Sequence, residues 1–150
     1  MLMRKVIQIG ICKKSSEKIH EVQAVEVISG KGIVNDRHFD DHNDDKNQIT
    51  LIEKENIDHY NNEANTNISY IDFRRNIVTA GIKLNDLIGK KIKIGSALVE
   101  GVDLCKPCKH LQEMIGQSDL VKKFLLKGGL RCKIISSGKI QKNDQINIDL

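Results

Sequence analysis

Lys91-Ile92-Lys93-Ile94-Gly95-Ser96-Ala97-Leu98-Val99-Glu100-Gly101-Val102 (residues 91–102) is the stretch whose reading decides the fold. Lysine and isoleucine alternate up to Ile94, a Gly-Ser pair interrupts, and a second run rich in Leu and Val follows. Alternation at period two puts one face of each run on a core, and a two-residue loop that begins with glycine reverses an antiparallel pair. The segment therefore predicts a β-hairpin.

Outward from the hairpin the same grammar repeats. Upstream, Leu84 to Ile88 is one helical turn closed by Gly89, and Arg74 to Thr79 is extended and stopped by Ala80-Gly81. Gln48 to Ile52 reads as a strand, and Glu53 to Glu63 as a helix with Ile57 and Tyr60 three apart. Lys5 to Cys12 and Glu21 to Ile28 are strands rich in β-branched residues, the second ended by Ser29-Gly30-Lys31-Gly32. Downstream, Leu104 to Leu111 passes from strand to helix period, and Ser118 caps a helix over Asp119 to Leu126 that Gly128-Gly129 ends. Leu130 to Ser136 and Gln145 to Ile148 are closing strands, with Ser137-Gly138 and Asn143-Asp144 as turns. About eight short strands with two or three short helices predict a mainly β protein, α+β in class, and favour a β-barrel over an open parallel sheet.

The 150 residues, 39% hydrophobic and 29% charged, suit one domain over positions 1–150. No apolar run approaches the roughly 20 residues of a membrane span, and the apolar stretch after the basic start Met1 to Lys5 is too short for a signal peptide. A cytoplasmic protein is expected. Lys and Arg number 24 against 20 Asp and Glu, a net charge of +4, and the two signs are interspersed along the chain. With Trp absent and aromatics at 3%, base-stacking platforms are scarce and nucleic acid is not the expected partner.

The sharpest local signal is Cys105-Lys106-Pro107-Cys108 at the strand-to-helix junction. Four readings stand beside each other: a dithiol of thioredoxin type, a zinc site extended by His110, small buried hydrophobes, and a single functional thiolate held by the turn. Cys108 lies nearer the helix start and so nearer its free N–H groups, which makes it the favoured thiol of the pair. A second Cys-x-x-Cys is missing, which leaves zinc short of ligands, and Cys12 and Cys132 read as structural. Arg74-Arg75-Asn76 groups two guanidinium forks with an amide, suited to a phosphate or carboxylate, although a solvated strand edge has the same composition. Asn35 to Asn47 is too polar to pack; it lacks the glycine and glutamate of a calcium-binding EF-hand loop and reads as a mobile, solvated lid. Gly30-Lys31-Gly32 lacks the Ser or Thr of a phosphate loop.

The order of segments resembles the MOSC domain, the C-terminal domain of molybdenum cofactor sulfurases. Gly32-Ile33-Val34-Asn35-Asp36-Arg37-His38, Gln48 to Ile52, Arg74 to Thr79 and Leu87-Ile88-Gly89 carry the likeness first. Gly95-Ser96-Ala97-Leu98, Leu104 to Leu111, Gly128-Gly129-Leu130-Arg131 and Gly138 to Asp144 follow in the same order. The resemblance implies a barrel like that inserted in pyruvate kinase and a ligand of the molybdopterin type, the molybdenum cofactor. It implies that Cys108 ligates molybdenum or carries persulfide sulfur, with Cys105 beside it. It also implies that Arg74, Arg75 and Asn76 help form the cofactor pocket, and that Asp36, Arg37 and His38 face it. The Val-Gly-Asp usual in the family is Lys142-Asn143-Asp144 here. No pyridoxal phosphate domain and no second barrel are present in the 150 residues, so cysteine desulfurase is the expected sulfur donor, with molybdoenzymes or cofactor-synthesis enzymes as partners. Two other functions fit the resemblance: a molybdenum-dependent reductase of N-hydroxylated substrates, and a non-catalytic adaptor with a Cys-x-x-Cys zinc site. Whether the chain is an enzyme is left open by its sequence.

Overall fold

The structure is a computed structural model that describes residues 3–14 and 17–149. Four strands open it: β1 (Lys5–Ile11), β2 (His20–Val22), β3 (Ala24–Ile28) and β4 (Gly32–Ile33). Beyond the polar loop come β5 (Ile49–Glu53), helix α1 (Lys54–Ala64), a 3-10 turn (Tyr70–Phe73), β6 (Ile77–Ala80) and a second 3-10 turn (Leu84–Leu87). The chain continues through β7 (Lys91–Ile94), β8 (Ala97–Leu104), α2 (Lys109–Ile115), α3 (Leu120–Lys123), β9 (Leu130–Ser136), β10 (Gly138–Gln141) and β11 (Ile146–Asn147).

The hairpin stands where its alternation puts it. Ile94 pairs with Ala97 and Lys91 with Glu100, and the β7 side chains alternate exposed and buried. Gly95 turns the corner at φ 58°, backbone that glycine adopts without a Cβ penalty. Around this hairpin one sheet runs in the order β11-β7-β8-β9-β5-β6-β1-β2, and β10-β3-β4 form a second. β5 and β6 are parallel, with α1 in the crossover between them.

The mainly β architecture with few short helices is as expected, but the large sheet is not closed into a barrel. Its end strands β11 and β2 share no ladder. Instead β1 meets the β11 end through a single bridge, Lys5 with Gln145, and the Ile146 N–H donates to the Arg4 carbonyl at 3.0 Å.

Several local readings change. The strand read over 21–28 is two, because the Gln23 carbonyl takes the Lys142 N–H at 2.9 Å; β2 stays with β1 while β3 joins β10. Arg74-Arg75-Asn76 does not open a strand: Arg74 closes the 3-10 turn in the left-handed region at φ 59°, and β6 starts only at Ile77. The helix read over 119–126 is the single turn α3, and its N-cap is Asp119 rather than Ser118; the Asp119 carboxylate accepts the Tyr60 hydroxyl at 2.7 Å and makes no cap hydrogen bond. Burial, then Asp119, pushes the Tyr60 phenol up to about 12. Ser137-Gly138 leads directly into β10, a strand hidden in sequence by its mostly polar Gly-Lys-Ile-Gln pattern.

Two apolar clusters hold these elements. The larger one lies among the strands, with Val6, Ile9, Val27, Leu51, Ile92, Val99 and Leu130 fully buried. The second fills the space beneath the helices with Ile52, Ile57, Tyr60, Phe73, Leu111, Leu120 and Phe124. In it the Phe124 ring lies 4.9 Å from Phe73 and 5.4 Å from Tyr60, tilted as aromatic pairs prefer. Ile57 and Tyr60, three apart on α1, are its contribution from that helix. Because Leu111 of α2 is anchored here, the second cluster also fixes where α2 begins, and Cys108 with it.

Candidate functional site

α2 starts at Cys108, the N-cap, whose backbone is extended and whose sulfur accepts the Leu111 N–H at 3.3 Å. The thiol is thereby placed on one of the free N–H groups at the helix start, and the residue is exposed. Cys105, three residues earlier, is 2% exposed. Burial pushes its thiol up, and the neighbouring Arg75 and Arg131 only partly offset this. The two cysteines of the motif are therefore not an equivalent pair. Among the described residues no three His, Cys, Asp or Glu side chains come together as a metal site.

Cys108 opens onto a cleft of about 300 Å³. Asp36, Arg37, His38, Arg74, Arg75 and Asn76 line it as well, so the sequence-named residues meet there, with the exception of Cys105. Arg37, Lys46, Arg74, Arg75 and Arg131 put five permanent cations on its walls, against one carboxylate, Asp36. That carboxylate is buried and already engaged: it accepts the Cys12 N–H at 2.9 Å and the His38 N–H at 3.2 Å. A cleft with this imbalance attracts an anion. His38 is held below its ordinary value of 6.5, first by desolvation and next by Arg37, so its ring is neutral at pH 7.

The two arginines reach the cleft by different routes. Arg74, turned by its left-handed backbone, donates to the Glu17 carbonyl at 3.2 Å and to the Cys12 sulfur at 3.8 Å. Arg75 donates from Nε to the Gly128 carbonyl at 2.9 Å and from Nη1 to the Phe73 carbonyl at 3.4 Å. Strand alternation would have sent one of them away; since neither lies in a strand, both serve the same cleft. Asn76, expected as a ligand-facing amide, is spent on the fold. Its Oδ1 accepts the Thr50 N–H at 3.0 Å and hydroxyl at 3.1 Å, and its Nδ2 donates to the Gly10 carbonyl at 3.1 Å.

The polar loop is not the unpacked lid its composition suggests. Asp36 pins its first residues to the end of β1, and Asn43 Nδ2 donates to the Lys31 carbonyl at 2.8 Å, tying the loop back to the β3–β4 turn. Among the charged and thiol-bearing residues of the cleft, sequence reasoning missed three. Cys12 is one, its thiol donating to the Lys14 carbonyl at 2.7 Å; Lys46 and Arg131 are the others. Arg131 Nη1 donates to the Lys46 carbonyl at 3.0 Å, which joins β9 to the loop. Its signal was available, as the last residue of Gly128-Gly129-Leu130-Arg131; Lys46 carried none.

Comparison with known proteins bears on the family and the fold. The MOSC domain family model matches residues 36–147. No curated protein matches the chain. Among solved structures, the YuaD protein from Bacillus subtilis has a TM-score of 0.79 at 19% identity, covering 97% of this chain and 97% of that one. YiiM from Geobacillus stearothermophilus gives 0.78 at 18%, covering 98% of this chain and 75% of that one. YiiM from Escherichia coli gives 0.71 at 18%, covering 99% and 70%. At such identities the likeness establishes the fold.

Proposed function

The chain belongs to the MOSC domain family, and on that premise we propose that its cleft binds a molybdenum cofactor of the molybdopterin type and delivers it, or sulfur carried on Cys108, to molybdoenzymes. The observation that carries this reading is an exposed thiol at the mouth of a cleft with five permanent cations and one carboxylate already engaged by backbone N–H groups. The donor set fits the group. A thiolate is a soft ligand for a metal already held by a dithiolene, and guanidinium forks suit a terminal phosphate. In this reading Cys108 ligates the metal, and Arg37, Arg74, Arg75 and Arg131 take the phosphate. Asp36 and Asn76 hold the walls, and neutral His38 offers a donor without repelling the arginines. When bound, the cofactor supplies two-electron chemistry at molybdenum. We also read the large sheet as an opened barrel, the whole chain as one domain, its place as the cytoplasm, and cysteine desulfurase as the sulfur donor.

Metal analysis of protein made in a cofactor-competent host tests the proposal. Molybdenum with pterin is the expected result, lost in Cys108→Ser. Turnover of an N-hydroxylated substrate by that preparation would move the assignment to a reductase. Zinc, or no metal and no persulfide, would replace both with a non-catalytic adaptor. Buried Cys105, outside the cleft lining, argues against a zinc pair with Cys108.

A further inference from the structure

The chain's positive charge is unevenly placed. Residues 105–129, which join β8 to β9, carry five lysines against Glu113 and Asp119, and so +3 of the net +4. The Asp119 carboxylate is engaged by Tyr60, whereas none of Lys106, Lys109, Lys122, Lys123 and Lys127 makes an ion pair among the described residues. The same segment holds three of the five large apolar side chains that are exposed among the described residues, Met114, Leu125 and Leu126. The two leucines form a tip. They follow α3 on a turn whose Phe124 is buried in the second apolar cluster, and they are themselves 61% and 70% exposed. Leu126 also lies in the left-handed region at φ 62°, where its Cβ is disfavoured, and its carbonyl accepts Asn85 Nδ2 at 2.7 Å. A leucine that gains neither burial nor a relaxed backbone is not placed there by the stability of the fold.

The tip lies near the exposed thiol. Gly128, two residues on, abuts the Cys105 carbonyl, and a Cβ on it would lie 3.4 Å from the Pro107 nitrogen. Chain reach then keeps the Cα atoms of Leu126 and Cys108 within about 17 Å of each other. A protein partner of ordinary size covers about 800 Å² of one side, a patch roughly 30 Å across, which is room for the tip and the thiol together. We propose that Leu125, Leu126 and the lysines between β8 and β9 form the docking surface for the protein that exchanges cargo with Cys108, a partner whose own face presents Asp and Glu around an apolar pocket. The proposal rests on the delivery reading of Cys108. Charge complementarity selects this occupant. A second copy of the chain would set lysines against lysines across a two-fold contact, and an anionic membrane would satisfy lysines and leucines but make no use of the thiol beside them.

The test uses the whole chain and a synthetic probe, a fluorescent helical peptide of about 20 residues, roughly 30 Å long, with leucines on one face and glutamates on its flanks. A control peptide has lysine in place of each glutamate. Saturable binding of the acidic peptide alone is expected by anisotropy, weakened about fivefold when NaCl is raised from about 50 to about 500 mM. Leu126→Gly should weaken it about tenfold. Because glycine is at ease at φ 62°, the melting temperature should not fall in this variant, and phosphate binding in the cleft should be unchanged. No binding of the acidic peptide, equal binding of the lysine peptide, or full affinity in Leu126→Gly overturns the proposal. A matching loss of phosphate affinity in Leu126→Gly also overturns it, by tracing the effect to the Gly128 contact with Arg75. Leucine-dependent binding to phosphatidylglycerol vesicles in place of the peptide would make the occupant a membrane, and a concentration-dependent dimer lost in Leu126→Gly would make it a second copy. These readouts need no cargo on Cys108. A protein without molybdenum or persulfide that binds the peptide would lose the delivery reading and keep the surface, and failure of the peptide alone would leave the Cys108 assignment in place.

Discussion

Asn76 and Cys108 line one cleft, and their side chains are in opposite states. On the wall that leads into β6, Asn76 is buried and its amide is used by Thr50 and Gly10, while Arg75 has given two N–H groups to the carbonyls of Gly128 and Phe73. On the helix wall, Cys108 is exposed and its sulfur accepts one backbone N–H. The first wall is rigid because its polar groups are already paired. The second keeps a reactive atom available because its pairing is with the backbone and leaves the sulfur open to the cleft. The proposed function uses both, fixed cations and a free thiol.

Substitutions that separate the two walls sharpen this contrast, and the largest effect in free energy belongs to Asn76. Asn76→Ala leaves the Thr50 and Gly10 groups unpaired in a buried place and should cost about 2–4 kcal/mol of stability, seen as a lower urea midpoint. A variant as stable as wild type would mean that this wall is not held by the amide. Next comes Arg75→Ala, which should weaken phosphate binding by about 1.5–3 kcal/mol in a calorimetric titration. Because Arg75 also braces Gly128, the melting temperature should fall slightly, and Arg75→Lys should restore charge without restoring the brace.

The cysteine pair gives the intermediate case. Cys105→Ser places a hydroxyl where a buried thiol packs and should cost about 1–2 kcal/mol of stability, with bound metal or sulfur largely retained. Cys108→Ser should do the opposite. Serine is a good N-cap and can still accept the Leu111 N–H, so the stability change should stay within about 0.5 kcal/mol while the molybdenum or persulfide is lost. Equal metal loss in both variants would make the two cysteines a pair after all.

The smallest effect is a pH dependence at His38, which burial, then Arg37 and Arg131, disfavour as a cation and Asp36 favours. Its folded value lies below 6.5, so the ring contributes stability above pH 6.5 that is lost as pH falls through the lowered value. Protonation adds a cation to the cleft, so sulfate, which does not titrate in this range, should bind about two- to threefold more tightly once pH falls below that value. His38→Gln should flatten the profile; an unchanged slope would assign the pH dependence to another group.

Sequence alone determined much of this protein. Alternation placed the β7–β8 hairpin, the Ile57 and Tyr60 spacing placed the buried face of α1, and the order of short motifs, through the family it resembles, implied that segments 36–38, 74–76 and 104–111 share a site. Those are local signals, written in neighbouring residues. Tertiary structure alone decided which polar groups remain free. Nothing local tells that the Asn76 amide is claimed by Thr50, 26 residues away, and Gly10, 66 away, or that Arg75 is held by Gly128, 53 away. Nor does period tell that Arg74 turns left-handed and joins Arg75 on one side, or that Cys105 is buried beside Arg75 while Cys108 looks outward. Periodicity encodes which face of an element is apolar. Whether a donor or thiol on that element is already satisfied depends on partners brought near only when the chain has folded.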